Sequence, residues 1–119
     1  MSDLGAFSLW ELFQGEVDSQ MRSFTDELLA LERGGAPAAH LASAMRAAHS
    51  VKGAARLVQL DAGVRLAHVM EDCLVAAQAA ELVLTGDAVD VLLSAADLLS
   101  CHDDFDLLSV QFPELAGQL

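Results

Sequence analysis

The chain has 119 residues, 54% of them hydrophobic and only 5% aromatic, with 2 prolines and a formal net charge of −12. That length supports one domain around one core. The acidity argues against nucleic acid or an anionic membrane as partner, and no apolar run reaches the ~18 residues of a membrane span. Met1-Ser2-Asp3-Leu4 lacks the basic region of a signal peptide, so a cytoplasmic protein is expected. The 2 cysteines, Cys73 and Cys101, are too few for a disulfide framework and read as small core residues.

Ala and Leu dominate, and both favour helix. Ser8-Leu9-Trp10-Glu11 has the form of a capping box, with Phe7 placed as its hydrophobic staple. From there Phe13, Val17, Met21, Phe24, Leu28 and Leu31 recur at steps of three or four, the stripe of a first amphipathic helix. Gly34-Gly35 ends it and Pro37 opens a second, expected to run to about Leu60. Leu41, Ala44, Ala48, Val51, Ala55 and Val58 mark its apolar side, and Arg46, His49, Gly53 and Arg56 form a separate stripe. Asp61 is placed to cap a third helix with the stripe Ala62, Leu66, Val69, Cys73, Ala76, Ala80 and Val83. Thr85-Gly86-Asp87 breaks the chain, with Asp87 as the next cap. A fourth helix carries Val89, Leu92, Ala96 and Leu99, and its continuation toward Leu108 is stopped by Pro113. The expected architecture is all-α: an antiparallel, up-down four-helix bundle, with room for a short extra C-terminal helical segment. No linker divides the chain, so residues 1–119 are read as a single domain.

From Arg33 to Leu60 there is no acidic residue, and this stretch holds Arg33, Arg46, Lys52 and Arg56, four of the 6 basic residues. A locally basic segment in an acidic chain suits a negatively charged group. His49 lies at its centre, with Lys52 three residues on and Gly53 four residues on, positions that share a helical face. A histidine that attacks a phosphoryl group must be neutral and present one ring nitrogen, while the other nitrogen keeps its proton and needs an acceptor. Glu71 on the next helix is a candidate acceptor. Lys52 is placed to offset phosphate charge. Gly53 leaves room for a partner's reactive group or, alternatively, permits tight helix packing.

The run Arg46-Ala47-Ala48-His49-Ser50-Val51-Lys52-Gly53-Ala54-Ala55 resembles the His-Ser-x-Lys-Gly motif of histidine phosphotransfer (HPt) domains. Leu66-Ala67-His68-Val69-Met70-Glu71-Asp72 is similar to the second motif, His-x-x-Glu, of the N-terminal HPt domain of chemotaxis-type and surface-sensing (CheA-like) histidine kinases. Trp10 to Glu32 also looks like that subfamily's first helix. The resemblance implies His49 as phospho-acceptor and Glu71 as the residue orienting its imidazole. It implies Lys52 near the phosphate, with Arg46, Gly53 and Arg56 on the docking surface. The implied partners are a kinase ATP-binding domain and a response-regulator receiver domain. ATP and magnesium would belong to the kinase domain, since this chain has no Gly-x-x-x-x-Gly-Lys loop. One departure stands out: where many relatives carry glycine about ten residues after the histidine, this chain has Gln59.

His68 is open to two readings, as a member of the polar network around His49 or as a surface residue. His40 and His102 read as solvent-facing, and Met21, Met45 and Met70 as core filler. His68, Asp72, Cys73, Cys101 and His102 have no ligand-pair spacing that argues for metal. A different class of function, a four-helix scaffold binding a partner without phosphotransfer, is distinguished by whether His49 is phosphorylated.

Overall fold

Buried seams at the spacing of a helix organise the chain in the computed structural model, which describes residues 2–100, with side chains from residue 9 onward. The elements are α1 (Ser2–Glu32), α2 (Pro37–Leu57), α3 (Asp61–Gln78) and α4 (Gly86–Ser100). The connections, residues 33–36, 58–60 and 79–85, are short enough to force antiparallel neighbours. The result is the expected all-α four-helix bundle, with no strand among the described residues. The possible helical segment beyond Ser100, with Cys101, His102 and Pro113, lies outside the described residues.

The seam of α1 is the one the periodicity predicts: Phe13, Val17, Met21, Phe24 and Leu28 are buried, with Leu31 packed at the edge. On α4, Val89, Leu92, Ala96 and Leu99 are buried as expected, joined by Ala95 and Leu98. On α2 the buried arc is wider than the predicted stripe, because this helix packs against α1 on one side and α3 on the other. It takes in Ala47 and Lys52 as well as Leu41, Ala44, Ala48, Val51 and Ala55. Most of that arc is alanine. Small side chains at a contact let helix axes approach closely, and this brings α3 within side-chain reach of α2.

The stripe on α3 begins as expected, with Ala62 and Leu66 buried, but shifts by one residue after Leu66. Met70 and Leu74 are buried, whereas Val69 is 55% exposed and Cys73 lies at the margin. The reason is that α3 packs mainly on α2 and only lightly on α4. The α4-facing side of α3 therefore lines an open groove at the edge of the core, with Val69 and Cys73 across from Val91. Ala80 and Val83 fall beyond the helix end and are exposed.

The predicted caps need three corrections. Helix α1 begins at Ser2, so the capping-box pattern at Ser8 lies inside the helix. Leu60, not Asp61, is the residue preceding α3, and Asp61 is its first helical residue, where a carboxylate favours the positive end of the helix dipole. Thr85, not Asp87, caps α4: its Oγ1 accepts from the Ala88 amide at 3.2 Å.

Helices α1, α2 and α3 end alike. Each places a left-handed residue just past the helix and closes with two backbone bonds: Gly35 to Ala30 and Gly34 to Leu31, Leu60 to Ala55 and Gln59 to Arg56, Glu81 to Ala76 and Ala80 to Ala77. The left-handed residues are Gly34, Gln59 and Ala80. Glycine adopts that conformation freely, whereas a side chain costs about 1–2 kcal/mol there. The departure at Gln59 is thus a strained helix terminus, with φ of 58°. Gln59→Gly is expected to stabilise the fold by about 0.5–1 kcal/mol after glycine's extra unfolded-state entropy is deducted. Thermal unfolding should show a higher Tm; a lower one would mean that the Gln59 side chain contributes contacts worth more than the strain.

Candidate functional site

His49 is carried on the exposed side of α2, midway along the helix, and Glu71 faces it from α3. The imidazole Nδ1 lies 2.7 Å from Glu71 Oε2, and Lys52 Nζ donates to Glu71 Oε1 at 2.6 Å. The three residues that the sequence singled out on two helices therefore form one chain of hydrogen bonds. Their exposures differ sharply. The His49 side chain is 69% exposed and Glu71 only 17%, while Lys52 is 8% exposed and is the one charged residue in the core among those described. The lysine's aliphatic stem joins the packing of α2 against α3 and delivers its ammonium to the carboxylate from beneath.

Burial acts to push the Glu71 carboxyl up, but the hydrogen bonds and positive charge from Lys52 and His49 outweigh it and hold the group below the usual carboxylate range. Glu71 is accordingly ionised at neutral pH and can only accept. A neutral His49 must then carry its proton on Nδ1, which leaves the lone pair on Nε2. With Nδ1 held against Glu71 and the side chain 69% exposed, Nε2 is the nitrogen left for an incoming group. The arrangement supplies a nucleophilic nitrogen of defined tautomer and a buried negative charge behind it.

Lys52 was expected to offset the phosphate charge. Its ammonium is instead buried and bonded to Glu71. Arg46, on the turn before His49, is exposed and bonds Ser43 Oγ at 2.9 Å. An open trough of about 510 Å³ runs beside His49 between α2 and α3, lined by Met45, Arg46, His49, Ser50, Glu71 and Gln78. Gln78 had no signal in the sequence, because it follows Glu71 by two turns and belongs to no motif. His68 pairs with Asp72 one turn along α3 at 3.1 Å, both side chains more than half exposed, and stands apart from the His49–Glu71–Lys52 chain. His40 is half-buried rather than solvent-facing: its Nδ1 pairs with Glu27 and its ring covers Gly35. Burial pushes the Cys73 thiol up, which disfavours the reactive thiolate. Among the described residues no three His, Cys, Asp or Glu side chains converge in a metal-binding group.

Gly53 decides between its two readings. A Cβ built there meets nothing within 4 Å, so the glycine does not serve helix packing; it leaves open surface one turn beyond His49. That surface continues onto an apolar patch that sequence reasoning missed. Leu12 of α1 is 71% exposed and Leu57 of α2 is 74% exposed. With Leu9 and Val58 they border a shallow hollow of about 300 Å³. Leu57 follows His49 by eight residues, a rise of about 12 Å, within one interface footprint. Its signal was present but unread: large apolar residues on the polar side of two adjacent helices. Arg56 is exposed in the same last turn of α2.

No helix among the described residues is long and apolar enough to cross a membrane. The Hpt domain family's model matches residues 8–104. A chemotaxis protein CheA of Rhizobium meliloti (strain 1021) is 33% identical over 90 residues, covering 76% of this chain but 12% of that protein's length. The crystal structure of the phosphorylated P1 domain of CheA3 in complex with CheY6, from R. sphaeroides, matches with a TM-score of 0.72 and 31% identity, covering 78% of this chain and 73% of that one. With two motifs joined by hydrogen bonds across α2 and α3, the bundle that carries them and a family match over most of its length, this chain belongs to the Hpt domain family.

Proposed function

We propose that His49 is the phospho-acceptor, taking a phosphoryl group from the ATP-binding domain of a kinase and giving it to an aspartate of a receiver domain. The observation that carries this is the bond from His49 Nδ1 to a buried, lysine-held carboxylate, which directs the Nε2 lone pair outward. Nε2 attacks the γ-phosphorus of ATP; the bond to the β-phosphate oxygen breaks and ADP leaves. The ring becomes cationic as the nitrogen–phosphorus bond forms, and Glu71 stabilises that charge while keeping the Nδ1 proton. In the second step a receiver carboxylate oxygen attacks phosphorus and the nitrogen–phosphorus bond breaks, returning the electron pair to Nε2. Lys52 acts through Glu71 as a positioning residue, holding it ionised and aimed at the ring.

The similarity to the CheA relative supports a place for this chain as the phospho-accepting domain of a CheA-like kinase, and a cytoplasmic setting is part of the same proposal. The described residues contain no phosphate-cradling loop, and phosphoryl-transfer catalysis lies mostly in positioning nucleotide and metal, which the kinase domain would supply. The test is radiolabelled ATP and magnesium with the purified chain. No label is expected from ATP alone. Label at His49 is expected once the kinase core is added in trans, and loss of that label once a receiver is added. Stoichiometric labelling by ATP alone would refute this division of labour.

Both partners must approach along α2, and the surface around Gly53, Arg56, Leu12 and Leu57 is open to them. Gly53→Gln should preserve or raise the Tm, since glycine within a helix costs about 1 kcal/mol and a Cβ at this position meets no neighbour within 4 Å. It should slow transfer in both directions. Leu57→Glu should leave the unfolding free energy within about 0.5 kcal/mol of wild type, as for a surface substitution, yet weaken receiver transfer. Unchanged transfer kinetics in both variants would place docking elsewhere.

A further inference from the structure

We propose that Arg46 is the cation that binds the phosphoryl group on His49, a role distinct from partner docking and resting on the reading of His49 as acceptor. Attachment of phosphate at Nε2 places a dianionic group on the exposed side of the ring, over the trough between α2 and α3. Lys52, the expected counter-charge, is committed to Glu71 at 2.6 Å and is buried. Among the residues lining the trough, Arg46 is the only cation. It precedes His49 by three residues, so the two side chains are neighbours on one helical face.

The present partner of Arg46 is a neutral hydroxyl, Ser43 Oγ at 2.9 Å, and among the described residues it has no carboxylate partner. In a chain with 18 acidic residues and only 6 basic ones, an arginine without a carboxylate partner, one turn from His49 and lining the same trough, is available for an incoming anion. Exchanging a hydroxyl for phosphoryl oxygens requires only side-chain rotation. A guanidinium fork also matches two phosphate oxygens at once, in a way that an ammonium does not. Ser43 therefore parks the guanidinium in the unphosphorylated state. Gln78 lines the same space from the opposite wall.

The test removes every partner protein. The purified chain is phosphorylated with phosphoramidate, whose phosphorus–nitrogen bond breaks and releases ammonia as the bond to His49 Nε2 forms. The phosphohistidine ³¹P signal is then followed against pH. A cation beside the phosphoryl group favours its dianion, so Arg46→Gln should move the titration midpoint upward by roughly half a pH unit at low salt. Arg46→Lys should recover most of the difference, and added salt should shrink it. A structural or docking role for Arg46 would not move this midpoint. An identical midpoint in wild type and Arg46→Gln, with or without slower receiver transfer, would overturn the proposal while leaving His49 as acceptor. Absence of any phosphohistidine at His49 in the wild-type chain would instead overturn the acceptor assignment, and this proposal with it.

Discussion

His49→Gln is expected to abolish acid-labile, alkali-stable phosphate incorporation by the kinase core, with helical circular dichroism near that of wild type. The side chain is 69% exposed, so its replacement disturbs little packing. His68 is the histidine that makes this prediction discriminating. It too is exposed and paired with a carboxylate, Asp72. That carboxylate is itself in solvent, whereas Glu71 is mostly buried and bonded to Lys52. An exposed ion pair contributes little, because water screens it, so Asp72 neither fixes a tautomer firmly nor stabilises a ring cation strongly. His68→Gln should accordingly label at close to the wild-type rate. Persistence of label in His49→Gln, with loss in His68→Gln, would reverse the assignment.

Glu71→Gln is expected to slow phosphorylation by about 10²–10⁴-fold, the usual contribution of a positioned acid–base partner. The amide keeps the shape but offers only one acceptor oxygen, where His49 and Lys52 each now have their own. Without the carboxylate, the ring loses both the support for its developing charge and the bond that fixes the proton on Nδ1. Nitrogen NMR of the imidazole should show a mixture of tautomers in place of the single Nδ1–H form. Stability should also fall, because Lys52 is left as a buried cation without its counter-charge. The pH dependence has a definite sign. A carboxyl held below its ordinary range in the folded state contributes stability above its unfolded pKa, and that contribution is lost as pH falls through the folded value. The difference in stability between wild type and Glu71→Gln should therefore be full near neutrality and diminish on acidification below the ordinary glutamate value of 4.5. A wild-type transfer rate with an unchanged tautomer would show that Glu71 is not the orienting group.

Several elements of this protein were already present in one dimension. The stripe from Phe13 to Leu28 has a single narrow apolar face, so only one side of α1 can be buried, and its spacing identifies which. The same holds for α4. His49, Lys52 and Glu71 were legible because two motifs on separate helices complement one another chemically: a ring nitrogen that needs an acceptor, a carboxylate that can accept, and a cation nearby. Gln59 was legible as a departure, though not as a left-handed helix terminus, since φ is a property of the folded backbone.

What only the tertiary structure decided concerns which side of a helix meets which neighbour. On α3 apolar residues from Leu66 to Leu74 fall on two adjoining faces, so periodicity alone cannot choose between Val69–Cys73 and Met70–Leu74. The close contact with alanine-rich α2 and the light contact with α4 make that choice. The same contact buries Lys52 and turns it from a surface cation into the support of Glu71. Gly53 is left in open space, and the separate packing of α1 on α2 sets Leu12 beside Leu57, residues 45 positions apart in the sequence. Sequence periodicity reports the faces of isolated helices. Burial, hydrogen-bond partnership and exposed patches depend on pairs of helices, and those are set by which side chains are small enough to let the axes approach.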